Sequence, residues 1–116
     1  MTANPGELVV MLYDGCIKQL RLAECAIGNQ EFPEANKCLQ KAQDIVVELI
    51  MSLDFHYSIS EDLFKLYDFM LLSMRAVNTG KDAGRIAPLI ELMSELRGAW
   101  DQAKKSFRVS AAAWEE

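Results

Sequence analysis

Residues 33–53 read Pro-Glu-Ala-Asn-Lys-Cys-Leu-Gln-Lys-Ala-Gln-Asp-Ile-Val-Val-Glu-Leu-Ile-Met-Ser-Leu, and their pattern decides the fold class. Apolar side chains recur at steps of three and four residues, at Ala35, Cys38, Leu39, Ala42, Ile45, Val46, Leu49, Ile50 and Leu53. This spacing predicts an amphipathic helix with one buried face. No segment of the chain alternates with the period of two that a half-buried strand shows, so the sequence predicts an all-α protein.

Three further segments show the same helical period. Their apolar stripes are Leu8, Val9, Leu12, Cys16, Leu20, Ala23 and Ile27; Leu63, Leu66, Tyr67, Met70, Leu71, Met74 and Val77; and Ile86, Leu89, Ile90, Met93, Leu96, Trp100, Ala103 and Phe107. Four helices of about 20 residues joined by short turns favour antiparallel neighbours. The predicted architecture is therefore an antiparallel up-down four-helix bundle.

Residues that favour helix ends separate these four stripes. Gly28-Asn29 is predicted to end the first helix in the left-handed conformation. Ser58 or Ser60 is predicted to cap the third helix and Asp82 the fourth. Pro88 would fall beyond the first turn of a helix that starts near residue 83, so we expect an irregular first turn or a kink there.

Length and charge limit the classes of protein that fit. A chain of 116 residues fits a single domain over 1–116, with the bundle at about 5–107 and a tail, 108–116, that frays or adds a short helical extension. The net charge of −5 and the absence of a basic face argue against nucleic-acid binding. No apolar run is long enough to insert into a membrane, and no secretory signal begins the chain.

Residues that carry chemistry are few. Cys16, Cys25 and Cys38 have no zinc-site spacing and suit a reducing cytoplasm. The single histidine, His56, falls in the predicted connection at 54–58, where it cannot serve as a mid-helix phosphoacceptor. We therefore expect no enzyme, no metal site and no cofactor. A histidine-phosphotransfer-like signalling bundle is kept as an alternative.

Apolar residues exceed what the core of such a bundle requires. The surplus lies off the stripes of three helices, at Val10, Met11, Ile17 and Leu22, at Val47 and Met51, and at Phe69, Leu72 and Ala76. Contiguous apolar patches on a small domain usually mark a partner site. An unusual crossing angle or a structural homodimer could also bury them. Gly15 in mid-helix favours a close helix crossing over the approach of a partner.

Four motifs resemble one family, the flagellin-specific export chaperones called FliS. Pro5-Gly-Glu-Leu-Val-Val-Met-Leu-Tyr-Asp-Gly15 resembles its first-helix signature, and 34–54 its second helix. Leu66-Tyr-Asp-Phe-Met70 and Glu95-Leu-Arg-Gly-Ala-Trp-Asp101 are similar to elements of its third and fourth helices. The signature residues singled out here are Leu12, Tyr13, Asp14, Gly15, Tyr67, Asp68 and Trp100.

The resemblance implies a cytoplasmic chaperone that binds the C-terminal region of flagellin and prevents premature polymerisation. It also implies delivery to the flagellar type III export gate through the cytoplasmic domain of the gate component FlhA. The nine surplus apolar residues become the candidate flagellin-binding set. Tyr67 and Trp100 are predicted to be core residues, whereas Tyr13-Asp14 either anchors the first helix by hydrogen bonding or touches cargo. Family members carry a longer N-terminal segment, so we expect this chain to be trimmed.

Overall fold

Four long helices make up the bundle. The structure, a computed structural model, describes the backbone of residues 5–114 and the side chains of residues 6–102. The helices are α1 (Pro5–Gly28), α2 (Phe32–Met51), α3 (Ile59–Gly80) and α4 (Ile86–Trp114), and the described residues contain no strand. Neighbouring helices in three pairs are antiparallel. Position 15 of α1 meets 45 of α2, 36 of α2 meets 78 of α3, and 14 of α1 meets 97 of α4. The predicted all-α bundle is confirmed.

The end of α1 differs in detail from the prediction. The helix stops at Gly28, but the left-handed residue is Gln30, with a φ of 60°. The Gln30 N–H donates to the carbonyl of Ile27, and the Glu31 N–H donates to that of Ala26. These two bonds form a Schellman motif, in which the left-handed residue stands two positions beyond the last helical one. The prediction that Gly28-Asn29 supplies the left-handed turn is therefore wrong.

The ends of α3 and the start of α4 show how the turns are held. Neither predicted serine caps α3: Ser58 makes no capping bond, and the Ser60 hydroxyl instead donates to the carbonyl of Asp54. Asp82 does act as a cap, because its carboxylate accepts from the Gly84 N–H of a short 3₁₀ turn, Ala83–Arg85. Pro88 lies in the first turn of α4, where its missing N–H costs no helical bond. The irregular start that was predicted at Pro88 is confirmed as this 3₁₀ turn.

The four helices are packed unevenly around the core. α1 lies between α2 and α4, α3 packs mainly on α2, and α3 and α4 scarcely touch. One core connects all four helices and includes Tyr13, Leu39, Tyr67, Met74 and Met93. The tail 108–114 continues α4 as helix, and the side chain of Phe107 lies outside the described residues.

Candidate partner-binding surfaces

The nine surplus apolar residues divide by exposure. Seven are exposed: Met11, Leu22, Val47, Met51, Phe69, Leu72 and Ala76. Ile17 is half-buried and packs against the core. Val10 is only 6 % exposed, so the expectation that it lies on the surface is wrong. Whether the exposed residues contact cargo stays a prediction.

The burial of Val10 follows from the position of α1 between two helices. Asp14, one turn further along the same face, pairs with Arg97 of α4, so this face of α1 looks onto α4. The prediction for Leu8 is wrong in the opposite direction, because Leu8 was predicted to lie in the core and is 49 % exposed. It lies on the α2 side of α1, one turn from Met11, where the two helices diverge towards the end of α2. The buried face of α1 is thus rotated towards α4.

An apolar groove runs between α1 and α2 near the N-terminus of α1. We define the α1–α2 groove by Leu8, Met11, Gly15, Ile45 and Met51. The groove is an open cleft of about 840 Å³, and Glu48 is the charged residue that lines it. A Cβ at Gly15 would lie 3.4 Å from Cδ1 of Ile45, which is ordinary van der Waals contact, so α1 and α2 meet at this point but the contact does not require a glycine.

A second apolar surface lies on α3. We define the α3 stripe by Phe69, Leu72 and Ala76, which are exposed and follow the i, i+3, i+7 spacing of one helix face. Lys65 precedes them by one turn on the same face. This arrangement suits the side of an amphipathic helix from a partner, because apolar residues at the same spacing would interlock with it.

A third apolar surface was not predicted. We define the tip surface by Phe55, Tyr57, Ile59 and Phe64, which lie in the connection between α2 and α3 and in the first turns of α3. All four are exposed, and the rings of Phe55 and Phe64 meet edge to face with centroids 6.4 Å apart. The stretch Phe55-His-Tyr57 places aromatic residues in a turn, and this composition was the feature of the sequence that could have predicted the tip surface.

Side chains that could react or bind a metal are few among the described residues. The Cys16 thiol is buried, and burial raises its pKa to about 12, which keeps it protonated and unreactive. His56 is exposed in the connection and not within a helix, as predicted. No group of His, Cys, Asp or Glu side chains in residues 6–102 is arranged to hold a metal ion. No helix among the described residues is long and apolar enough to cross a membrane.

Comparison with known proteins identifies the family. The sequence profile described as "Flagellar protein FliS" matches residues 1–106. This chain belongs to the FliS family. Curated FliS relatives include the flagellar secretion chaperone of Bacillus subtilis, 39 % identical over 92 % of this chain and 80 % of its own length. The Vibrio cholerae chaperone is 31 % identical over 96 % of this chain and 83 % of its own length. These relatives are named as chaperones, a non-enzymatic role, in agreement with the expectation that the chain is not an enzyme.

A solved structure supports the FliS-type fold independently. A crystal structure described as a flagellar chaperone from bacteria superposes with a TM-score of 0.83. It covers 91 % of this chain and 88 % of that chain at 22 % sequence identity, so the likeness concerns the fold alone. The helical bundle of this FliS-family chain is therefore shared with a known flagellar chaperone.

The aromatic residues of the FliS signatures connect α1 to α3. The Oη atoms of Tyr13 and Tyr67 lie 2.5 Å apart, and both side chains are buried as predicted for Tyr67. Burial is the main cause that raises the pKa of each phenol. Trp100 is half-buried against the core and also interacts with both phenols, in the direction that lowers their pKa. Tyr13 therefore anchors α1 and is not available to cargo.

The acidic residues of the signatures behave differently from each other. Nε of Arg97 donates to Oδ1 of Asp14 at 2.7 Å, and Nη2 donates to Oδ2 at 3.4 Å, so Asp14 joins α1 to α4. This bidentate pair raises the pKa of the Arg97 guanidinium and is partly open to solvent. Asp68 is exposed on α3, and Leu12 is half-buried against the core. In this FliS-family chain, Tyr13 and Asp14 both make hydrogen bonds that join α1 to other helices, and whether the exposed Asp14 also contacts cargo stays a prediction.

Proposed function

We propose that this chain is a cytoplasmic flagellar export chaperone that binds the C-terminal region of flagellin and delivers it to the export gate. The observation that carries the proposal is the exposure of two apolar surfaces, the α1–α2 groove and the α3 stripe, on a FliS-family bundle. A protein of this size rarely leaves such surfaces unpartnered. Their helical spacing suits amphipathic helices of a partner.

Chaperone action follows if these surfaces cover the apolar faces of flagellin helices. Flagellin subunits pack through apolar faces of their terminal helices, so a bundle that binds those faces prevents subunit association. Burying them on the chaperone also keeps the cargo from aggregating, because the exposed apolar area falls. The net charge of −5 favours the solubility of the chaperone itself. We propose further that the loaded chaperone docks with the cytoplasmic domain of the gate component FlhA.

Isothermal titration calorimetry against a C-terminal flagellin fragment tests the cargo assignment. We expect binding with a large negative heat-capacity change, because apolar area leaves water. Phe69→Asp on the α3 stripe and Met11→Asp in the α1–α2 groove should each weaken binding by about tenfold or more. Val47→Asp on the outer face of α2 tests whether the cargo also covers that helix. Each variant should keep the helical circular dichroism of the parent.

Phe32→Asp is the matched control, because Phe32 is also exposed but is not among the residues that define either surface, and it begins α2 at the end remote from the α1–α2 groove. Equal weakening by Phe32→Asp would show that lost hydrophobicity in general, and not a surface, is responsible. Absence of binding by the parent at tens of micromolar would contradict the cargo assignment. Sedimentation distinguishes the homodimer alternative, since a dimer built on Phe69 would dissociate in the Phe69→Asp variant.

A further inference from the structure

The tip surface is not explained by the proposed cargo surfaces. Phe64 and Phe69 are five residues apart on α3, which turns their side chains about 140° around the helix axis. The tip surface and the α3 stripe therefore face different directions. Tyr57 and Ile59 are 65 % and 61 % exposed, within the range of the residues on the cargo surfaces. An aromatic cluster this open on a separate face requires its own explanation.

The connection that holds the tip surface is built around Asp54. The carbonyl of Asp54 accepts from the Ser60 hydroxyl at 2.6 Å and from the Tyr57 N–H at 3.1 Å. The Asp54 carboxylate accepts from the His56 N–H at 2.9 Å. These bonds fix the turn, so the aromatic side chains are held outwards by a defined backbone. A preorganised surface of this kind loses little entropy when a partner binds.

An apolar cavity opens beside the tip surface. It has a volume of about 420 Å³ and is lined by Leu53, Tyr57, Ile59, Leu63, Tyr67 and Trp100, among others. It lies at the end of the bundle where α1, the end of α2 and the start of α3 meet, with Trp100 of α4 on one wall, and it adjoins the α1–α2 groove, with which it shares Val9 and Ser52. A cavity of this size accepts one large apolar side chain, and such anchors in desolvated pockets dominate binding energy at interfaces.

The charge around the tip surface selects the partner. Residues 54–64, which hold the tip surface, contain three carboxylates and no lysine or arginine, so this segment carries a net charge of −3. Asp54, Glu61 and Asp62 are exposed around the aromatic cluster. An acidic rim favours lysine and arginine in the partner and repels an anionic membrane surface. The occupant is therefore a protein segment and not a lipid bilayer.

We propose that the tip surface is a second docking site, for a protein segment in which a large apolar side chain is flanked by lysine or arginine. The apolar side chain enters the cavity beside Tyr57 and Trp100, and the basic residues lie against Glu61 and Asp62. This site goes beyond the proposed cargo surfaces, since Phe55, Tyr57, Ile59 and Phe64 are not among the residues that define the α1–α2 groove or the α3 stripe. The chaperone would then hold cargo and a basic partner at the same time.

A synthetic peptide with a central Leu-Trp pair and two lysines on each side is the probe. Titrated into the full chain labelled with ¹⁵N, it should shift backbone resonances within 53–64 and the indole resonance of Trp100. Tyr57→Ser should weaken the peptide by about tenfold, because it removes a wall of the cavity. The pair Glu61→Gln and Asp62→Asn should weaken it by about threefold or more and reduce its salt dependence.

Phe32→Ser is the control variant, and two control peptides replace the lysines by glutamate or the Leu-Trp pair by serines. Equal binding of the glutamate peptide, or equal weakening by Phe32→Ser and Tyr57→Ser, would overturn the proposal. So would resonance shifts centred on Met11 and Met51 in the α1–α2 groove.

The flagellin fragment separates this proposal from the proposed function. Tyr57→Ser should bind the fragment as the parent does, and loss of that binding would make the tip surface part of the cargo site and refute a second site. If the parent chain fails to bind flagellin, the peptide experiment still tests the tip surface by itself.

Discussion

Replacing Tyr67 by phenylalanine should destabilise the bundle by leaving a buried hydroxyl without its partner. Tyr13 is fully buried, and its Oη lies 2.5 Å from that of Tyr67. Among the described residues, this bond and the tilted contact of the two rings link α1 to α3 directly. Trp100 does not substitute for Tyr67, because the indole N–H donates a hydrogen bond and cannot accept the proton of Tyr13.

The magnitude follows from what each variant leaves behind. Tyr67→Phe and Tyr13→Phe each leave one buried hydroxyl without an acceptor for its proton, which costs about 1–3 kcal/mol in the free energy of unfolding. The double variant removes both hydroxyls and leaves two buried rings in contact. We therefore expect the double variant to cost less than the sum of the single variants, by about 1 kcal/mol or more. The half-buried Trp100 can satisfy its freed N–H with water, so it adds little.

Urea unfolding followed by circular dichroism at 222 nm measures the cycle. The denaturant slope should stay constant across the four proteins, because the area exposed on unfolding barely changes. Additive costs in the double variant would refute the coupling. Single variants within about 0.5 kcal/mol of the parent would show that the surrounding structure satisfies the remaining hydroxyl. Either result would contradict the reasoning from burial and distance.

Three further predictions concern local features. A thiol reagent at neutral pH should label the exposed Cys25 rapidly and Cys16 only on unfolding, and rapid labelling of both would show that α1 opens readily. Burial raises the pKa of Cys16 to about 12 and also raises that of Tyr13, so the unfolded chain loses these protons first. Urea midpoints should therefore fall as the pH rises above about 9, and a flat profile would contradict this. Gln30→Gly should raise the free energy of unfolding by about 1 kcal/mol, because Gln30 has a φ of 60°, and a loss of stability there would mean that its side chain has a role.

Local pattern was enough for the helices and most of the core. The stripe of α2 is buried at Ala35, Cys38 and Leu39, as its period indicates, because burial of one helix face depends on positions a few residues apart. The exposure of Phe69 and Leu72 could also be predicted from the helical period, because it depends on positions a few residues apart. The tip surface was missed because the period of a helix says nothing about residues in a turn. The aromatic content of 55–57 was the only local sign.

Pairings between distant residues required the folded chain. Tyr13 and Tyr67 are 54 positions apart, and nothing in either neighbourhood names the other as its partner. Val10 was assigned to the surface because a single helix does not reveal which of its margins meets a second neighbour. Its burial results from the packing of α4 on α1, seen at the pair of Asp14 with Arg97.

The sequence by itself determined that this protein is a bundle of four helices, because helix period and turn composition act over a few residues. Its four motifs also indicated the family, and the helical period placed most of the surplus apolar side chains outside the core. Only the tertiary structure decided where those side chains meet. Gly15 of α1 and Ile45 of α2 meet in the α1–α2 groove, and residues of all four helices line the cavity beside the tip surface. Such surfaces depend on how closely neighbouring helices approach, and that distance is set by contacts between residues far apart in the chain.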